Sequence, residues 1–214
     1  MFRKLLVCAA LVAGSAVANA GPVLLDEGFE NTAPLTDWFA YYLSAPPGES
    51  GWDQGNTAVF NAQAGSADSY LTANFANAAF GGNVDTWLIT PVVDATAGVL
   101  ELSFATRTEG AFPGDNLEVF YNNAGTLDTL ADWVSLGSIG AYPTDWTFFN
   151  FLYTGGGSNV RFAFRYTVTD TSVNGDYIGI DSVRVAVPEP GTLALLAMGM
   201  LLTPLVLRRR RTQI

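Results

Sequence analysis

A chain of 214 residues with a formal charge of −10, no histidine and one cysteine leaves few chemistries open. Without histidine, Ser-His-Asp and Cys-His nucleophile systems and histidine-based zinc sites are excluded. Among common hydrolytic mechanisms only paired-carboxylate chemistry remains.

The N-terminus reads as an export signal over residues 1–20. Arg3 and Lys4 supply a positive segment, residues 5–13 are apolar, and Ala18-Asn19-Ala20 is a small-x-small site. Signal peptidase cutting after Ala20 leaves Gly21 as the first mature residue, and the route out is the Sec machinery. The only cysteine, Cys8, lies inside this segment. A lipoprotein reading of Leu5-Leu6-Val7-Cys8 is weakened by the short apolar stretch before it. The mature chain therefore has no disulfide, and its stability comes from its core, with bound metal as a possible supplement.

Residues 21–186 are long enough for one domain with a sizeable core. Counted from Gly21 to Pro190, the chain keeps Arg107, Arg161, Arg165 and Arg184 against all twenty acids, a net charge of −16, and it has no lysine. Such a body repels nucleic acid and anionic lipid, so a nucleic-acid partner is not expected. It suits divalent cations, although solubility alone would also account for the acids.

The patterning is all-β. Strands are expected at 23–29, 38–43, 57–60, 70–73, 86–90, 100–104, 117–121, 133–137, 147–153, 160–168 and 177–185. The clearest is 160–168, where Val160, Phe162, Phe164, Tyr166 and Val168 alternate with Arg161, Ala163, Arg165 and Thr167. Gly- and Pro-rich turns separate the strands, and 73–82 reads as a small-residue loop. Asp85 reads as a turn residue ahead of a strand. In 177–185 the alternation slips between Ile180 and Val183, which calls for a bulge near Asp181 and Ser182. Many short strands with glycine-rich turns mean a sandwich or barrel.

Two patterns carry candidate chemistry. Asp170, Ser172, Asn174, Gly175, Asp176 and Asp181 fall at positions 1, 3, 5, 6, 7 and 12 of a calcium-loop spacing. Ser172 and Asp181 depart from that pattern, and strands rather than helices flank it. The alternatives are a β-framed calcium loop or an Asn-Gly turn with solvated acids. The aromatics Trp38, Tyr41, Tyr42 and Trp52 crowd the first third beside Pro46-Pro47-Gly48-Glu49-Ser50-Gly51. Exposed, Trp38 and Trp52 would stack on sugar rings; buried, they would fill the core.

The C-terminal tail, 187–214, has three parts: Val187-Pro188-Glu189-Pro190-Gly191, an apolar run at 192–207, and a basic end at 208–214 that includes four arginines. The apolar run would span about 24 Å as a helix, slightly less than the hydrocarbon core, and is read as a transmembrane helix. The arginines place its end in the cytoplasm and the body in the periplasm.

This tail resembles the PEP-CTERM sorting signal of Gram-negative bacteria that make exopolysaccharide. The resemblance implies that an exosortase recognises Pro188-Glu189-Pro190 and cuts nearby. The inner membrane is then a transient partner, and the body passes to the cell surface or extracellular matrix.

Four body segments, Asp26-Glu27-Gly28-Phe29-Glu30, Asp85-Thr86-Trp87-Leu88-Ile89-Thr90-Pro91, Arg161-Phe162-Ala163-Phe164-Arg165 and Tyr177-Ile178-Gly179-Ile180-Asp181-Ser182-Val183, resemble choice-of-anchor J domains. These are jelly rolls related to cleaved-adhesin and MAM domains. The resemblance implies a jelly-roll β-sandwich of two antiparallel sheets, usually non-catalytic. It also implies a structural Ca2+ between first and last strands, for which Asp26, Glu30 and Asp181 are the candidates. The functional reading is a non-catalytic surface or matrix protein associated with exopolysaccharide or biofilm. The alternatives are a carbohydrate-binding adhesin module and a carboxylate glycosidase. No Glu-x-Asp-x-x-Glu motif supports the glycosidase.

Overall fold

The computed structural model describes residues 21–30, 35–110, 114–127, 130–140 and 142–189. The export signal at 1–20 and the apolar run at 192–207 lie outside the described residues. No helix among the described residues is long and apolar enough to cross a membrane.

The body, Pro22–Pro188, is a compact unit of antiparallel strands in two sheets. The first sheet contains β1 (Val23–Glu27), β4 (Asp53–Gln54), β5 (Leu71–Asn74), β7 (Leu100–Thr108), β10 (Thr147–Tyr153) and β12 (Tyr177–Ala186). Its order is β10-β7-β12-β5-β4, with β1 also on β12. The second contains β2 (Phe39–Tyr42), β3 (Ala45–Pro47), β6 (Ala78–Ile89), β8 (Asp115–Asn122), β9 (Val134–Ile139) and β11 (Arg161–Val168). Its order is β2-β6-β11-β8-β9, with β3 also on β6.

Period-two alternation builds the core between the sheets. On β11, Phe162, Phe164, Tyr166 and Val168 turn inward and are buried. Leu100, Leu102 and Phe104 of β7 meet them from the other side. Phe104 links the layers, lying edge-on to Phe164 at 4.8 Å and stacked on Phe151 at 6.1 Å. Each such side chain contributes about 1.5–3 kcal/mol through burial, which supplies the cohesion a cysteine-free body needs.

Three expectations change. Residues 57–60 form a turn rather than a strand; Val59 N and Phe60 N both donate to the Asn56 carbonyl. The stretch 73–82 is not a loop. It holds the end of β5, a 3-10 helix at Phe75–Asn77 and the start of the long β6. Small side chains weaken the strand signal, but pairing with β3 (Ala45 to Asn83, Pro47 to Ala78) imposes the extended backbone. Asp85 sits inside β6, where Arg165 grips it through Nε at 2.8 Å and Nη2 at 2.7 Å.

The slip expected in 177–185 is present. The β12–β7 register shifts between Asp181 and Arg184, and Ser182 adopts φ 52°. There β12 exchanges partners. Tyr177–Ile180 pair with β5, whereas Val183 onward pairs with β1. The first and last strands are thus neighbours.

Candidate functional site

Asp181 fills the gap between β5 and β1 and is fully buried. Its Oδ2 accepts from the backbone N–H of Gln63 at 2.8 Å and of Ala64 at 3.1 Å, and its Oδ1 accepts from the N–H of Ser182. Burial raises its pKa, while these hydrogen bonds hold it down. Glu30 reaches the same loop, its Oε2 accepting from Ser66 Oγ at 2.9 Å. Asp26 is exposed on β1, opposite Arg184 in the ladder. The Asp181 carboxylate is met by backbone N–H groups and the Ser182 hydroxyl, and that of Glu30 by the Ser66 hydroxyl.

The spaced acids of 170–176 go to separate neighbours. Asp170 is exposed, and its Oδ1 accepts from Ser172 N at 3.0 Å within its own turn. Asn174 donates to the Thr169 carbonyl at 2.8 Å. Asp176 is buried, and its carboxylate accepts from Thr108 Oγ1 at 2.6 Å, from Gly110 N and from Tyr177 N at 2.7 Å. It ties the end of β7 to the start of β12. Strand flanks do not fold the loop back on itself as helices would. Among the described residues, no three acidic side chains come together as a metal-holding group.

Of the two tryptophans expected at sugar contacts, Trp38 is buried and Trp52 is half-buried. Trp38 is only 9% exposed and packs edge-on against Phe29 at 5.4 Å. Trp52 is half-buried against the core, with its indole N–H out of solvent. The β-sandwich takes these rings because large apolar surfaces gain most from leaving water.

A groove instead opens along the 47–49 segment and the 3-10 helix Phe75–Asn77. One cavity of about 320 Å³ is lined by Tyr42, Ser44, Glu49, Ser50, Asp53 and Asn77, among others. A second, of about 410 Å³, is lined by Phe75, Ala76, Ala79, Phe80 and Thr171. Both share Pro47, Gly48 and Glu49 as a common ridge. The ridge is strapped down: Gly48 N donates to the Asn77 carbonyl at 3.3 Å, and Glu49 N to the Ala76 carbonyl at 3.1 Å. Asn77 adds bonds to Ser50 Oγ and to the Gly51 carbonyl.

The groove exposes aromatic surface. Phe80 is 87% exposed, and Phe75 and Tyr42 are each 53% exposed. Glu49 and Asp53 are exposed beside them. Phe75 and Phe80 are not among the residues that sequence reasoning singles out, because 73–82 reads as a small-residue loop. Two large rings in such a stretch, with no alternating partners, were the available signal.

Residues 186–211 match the PEP-CTERM protein-sorting motif. The chain carries a PEP-CTERM sorting signal. That signal marks an exported protein, membrane-processed by an exosortase, that reaches the cell surface. No curated protein matches the chain. Among solved structures, the fold is similar to the K1 cleaved adhesin domain of Lys-gingipain from Porphyromonas gingivalis W83. The identity is 21% and the TM-score 0.56, over 77% of this chain and 98% of that one. The K3 cleaved adhesin domain of the same protein is 18% identical with a TM-score of 0.53, over 77% of this chain and 99% of that one. The PEP-CTERM body therefore has the cleaved-adhesin fold, the jelly-roll type of β-sandwich.

Proposed function

We propose that this PEP-CTERM protein is a non-catalytic adhesive module of the cell surface or extracellular matrix. It binds polysaccharide along the groove between Tyr42 and Phe80. The observation that carries the reading is the exposure of Phe75, Phe80 and Tyr42 around cavities of saccharide size. Leaving such rings in water is unfavourable unless a ligand covers them, and sugar faces are apolar enough to do so. Glu49 and Asp53 lie open to water rather than in a closed cleft, which favours binding over hydrolysis.

The producer's exopolysaccharide is the proposed partner. The body reaches it after a periplasmic stage in which the apolar tail segment holds it to the inner membrane. Calcium belongs to the same reading, held by Glu30 and Asp181 with oxygens of 61–69 and stiffening the junction of β1 and β12. The thermal midpoint should then fall in chelator and recover with calcium; an unchanged midpoint removes the metal from the account.

Affinity electrophoresis of the full chain in gels containing the producer's polysaccharide tests the main claim. Retardation by wild type, lost in Phe80→Ala, is the expected result. Equal mobility with and without polysaccharide would sink it.

A further inference from the structure

The charge around the groove narrows the ligand beyond polysaccharide in general. Glu49 lines both cavities, and Asp53 lines the first. Among the described residues, no basic side chain lines either. The body's four arginines are placed elsewhere. Arg107 lies over the Phe60 ring at 4.3 Å. Arg161 donates to the Thr90 carbonyl at 2.7 Å and the Gly125 carbonyl at 3.1 Å. Arg165 is paired with Asp85 and Glu118. Arg184 stands on β12 opposite Ser103.

A uronate, sulfated or phosphorylated glycan would therefore bring its charge to exposed carboxylates with no cation to receive it, on a chain already at −16 between Gly21 and Pro190. A neutral glycan meets no such penalty, but it gains only stacking and hydrogen bonds. A sugar with a protonated amine gains an ion pair with Glu49 or Asp53 and a cation–π contact with a neighbouring ring. Two adjoining cavities that share the Glu49 ridge suit consecutive sugars of one chain.

We infer that the groove binds an amino-sugar polymer carrying free amines, a polycationic polysaccharide. The inference rests on the reading of the groove as a glycan site and adds its charge class. Rising salt screens the attraction, and rising pH removes the ammonium protons, so both weaken binding.

The test uses the full chain in detergent and measures binding calorimetrically to three probes: a β-1,4-linked glucosamine oligomer, its fully N-acetylated counterpart and an oligomer of uronates. The glucosamine oligomer should bind about tenfold more tightly than the N-acetylated one, and the uronates should not bind. Glu49→Gln with Asp53→Asn should weaken glucosamine binding about tenfold and leave N-acetyl binding unchanged. Both side chains are solvent-exposed, so an unchanged circular dichroism spectrum and melting curve should accompany the loss.

If the two oligomers bind equally and the double variant changes neither, the amino-sugar inference is overturned while the glycan site stands. Uronate binding at or above the glucosamine level also overturns it. If no probe binds and Phe80→Ala alters nothing, the glycan site itself falls, and the inference with it.

Discussion

The backbone N–H of Gln63 donates to Asp181 Oδ2 at 2.8 Å, joining a loop to the point where β12 exchanges one edge partner for another. The carboxylate replaces a strand at that gap. Asp181→Ala removes the acceptor of the part-buried N–H groups of Gln63, Ala64 and Ser182. It should cost about 1–3 kcal/mol in urea denaturation, because water can reach donors that are only partly buried and take over some of the lost bonds. Protease nicking within 61–69 should accelerate. Asp181→Asn keeps one acceptor oxygen and should cost less. Equal stability of all three proteins would show that the junction does not depend on this side chain.

Asp115 predicts a pH dependence. Burial beside Asp176 raises its pKa from 3.8 to about 6, even though Tyr166 donates to its Oδ2 at 3.1 Å. The folded protein therefore keeps a proton, between those values, that the unfolded chain has released. Its contribution to stability is full below the lower value and is lost as pH rises through the upper one. Asp115→Asn keeps an acceptor for Tyr166 and cannot ionise. The variant should gain on wild type as pH rises from 4 to 7, read as the difference in melting midpoints. A constant difference would contradict the assignment.

Gly48 packs against the backbone of the 3-10 helix, where a Cβ would overlap the Ala76 carbonyl oxygen. Gly48→Ala must push the ridge off Phe75–Asn77. It should cost about 1–3 kcal/mol and abolish polysaccharide retardation, because both cavities share that ridge. Wild-type binding and stability would show that the ridge moves without consequence.

Trp38 and Phe80 should separate stability from binding. Trp38→Ala removes a ring from the core and should lower stability by about 3–5 kcal/mol. Phe80→Ala removes an exposed ring and should change stability by less than about 0.5 kcal/mol while binding is lost. Thermal melts alongside affinity electrophoresis read both. A large stability loss in Phe80→Ala would mean that the ring packs rather than binds.

Arg165 holds Asp85 with a two-pronged grip and reaches Glu118 at 3.1 Å, so one residue ties β11 to β6 and β8. Arg165→Lys keeps the charge but cannot make parallel bonds, and should cost about 1 kcal/mol in urea denaturation. An unchanged midpoint would show that charge alone suffices.

Sequence alone determined what depends on order along the chain. The sorting motif is a linear string read by another protein, so its residues had meaning before any fold. Alternation in 160–168 identified the inward face of β11 because a pleated strand has a period of two, and the broken phase near Asp181 located the bulge for the same reason. Local composition points to a strand at 57–60 and a loop at 73–82, but turn geometry folds the first and pairing with β3 extends the second. The tertiary structure decided what depends on neighbours. Alternation says that a side chain faces inward, but not what covers it. It could not say that Trp38 would be buried, that Asp176 would cap β7, or that Asp181 would receive amides from a loop 118 residues away in sequence. The groove is the clearest case. Tyr42, Glu49, Asp53, Phe75 and Phe80 share no motif. They meet because β2 and β3 pair along β6, β4 pairs with β5, and backbone bonds fasten the ridge to the helix between β5 and β6.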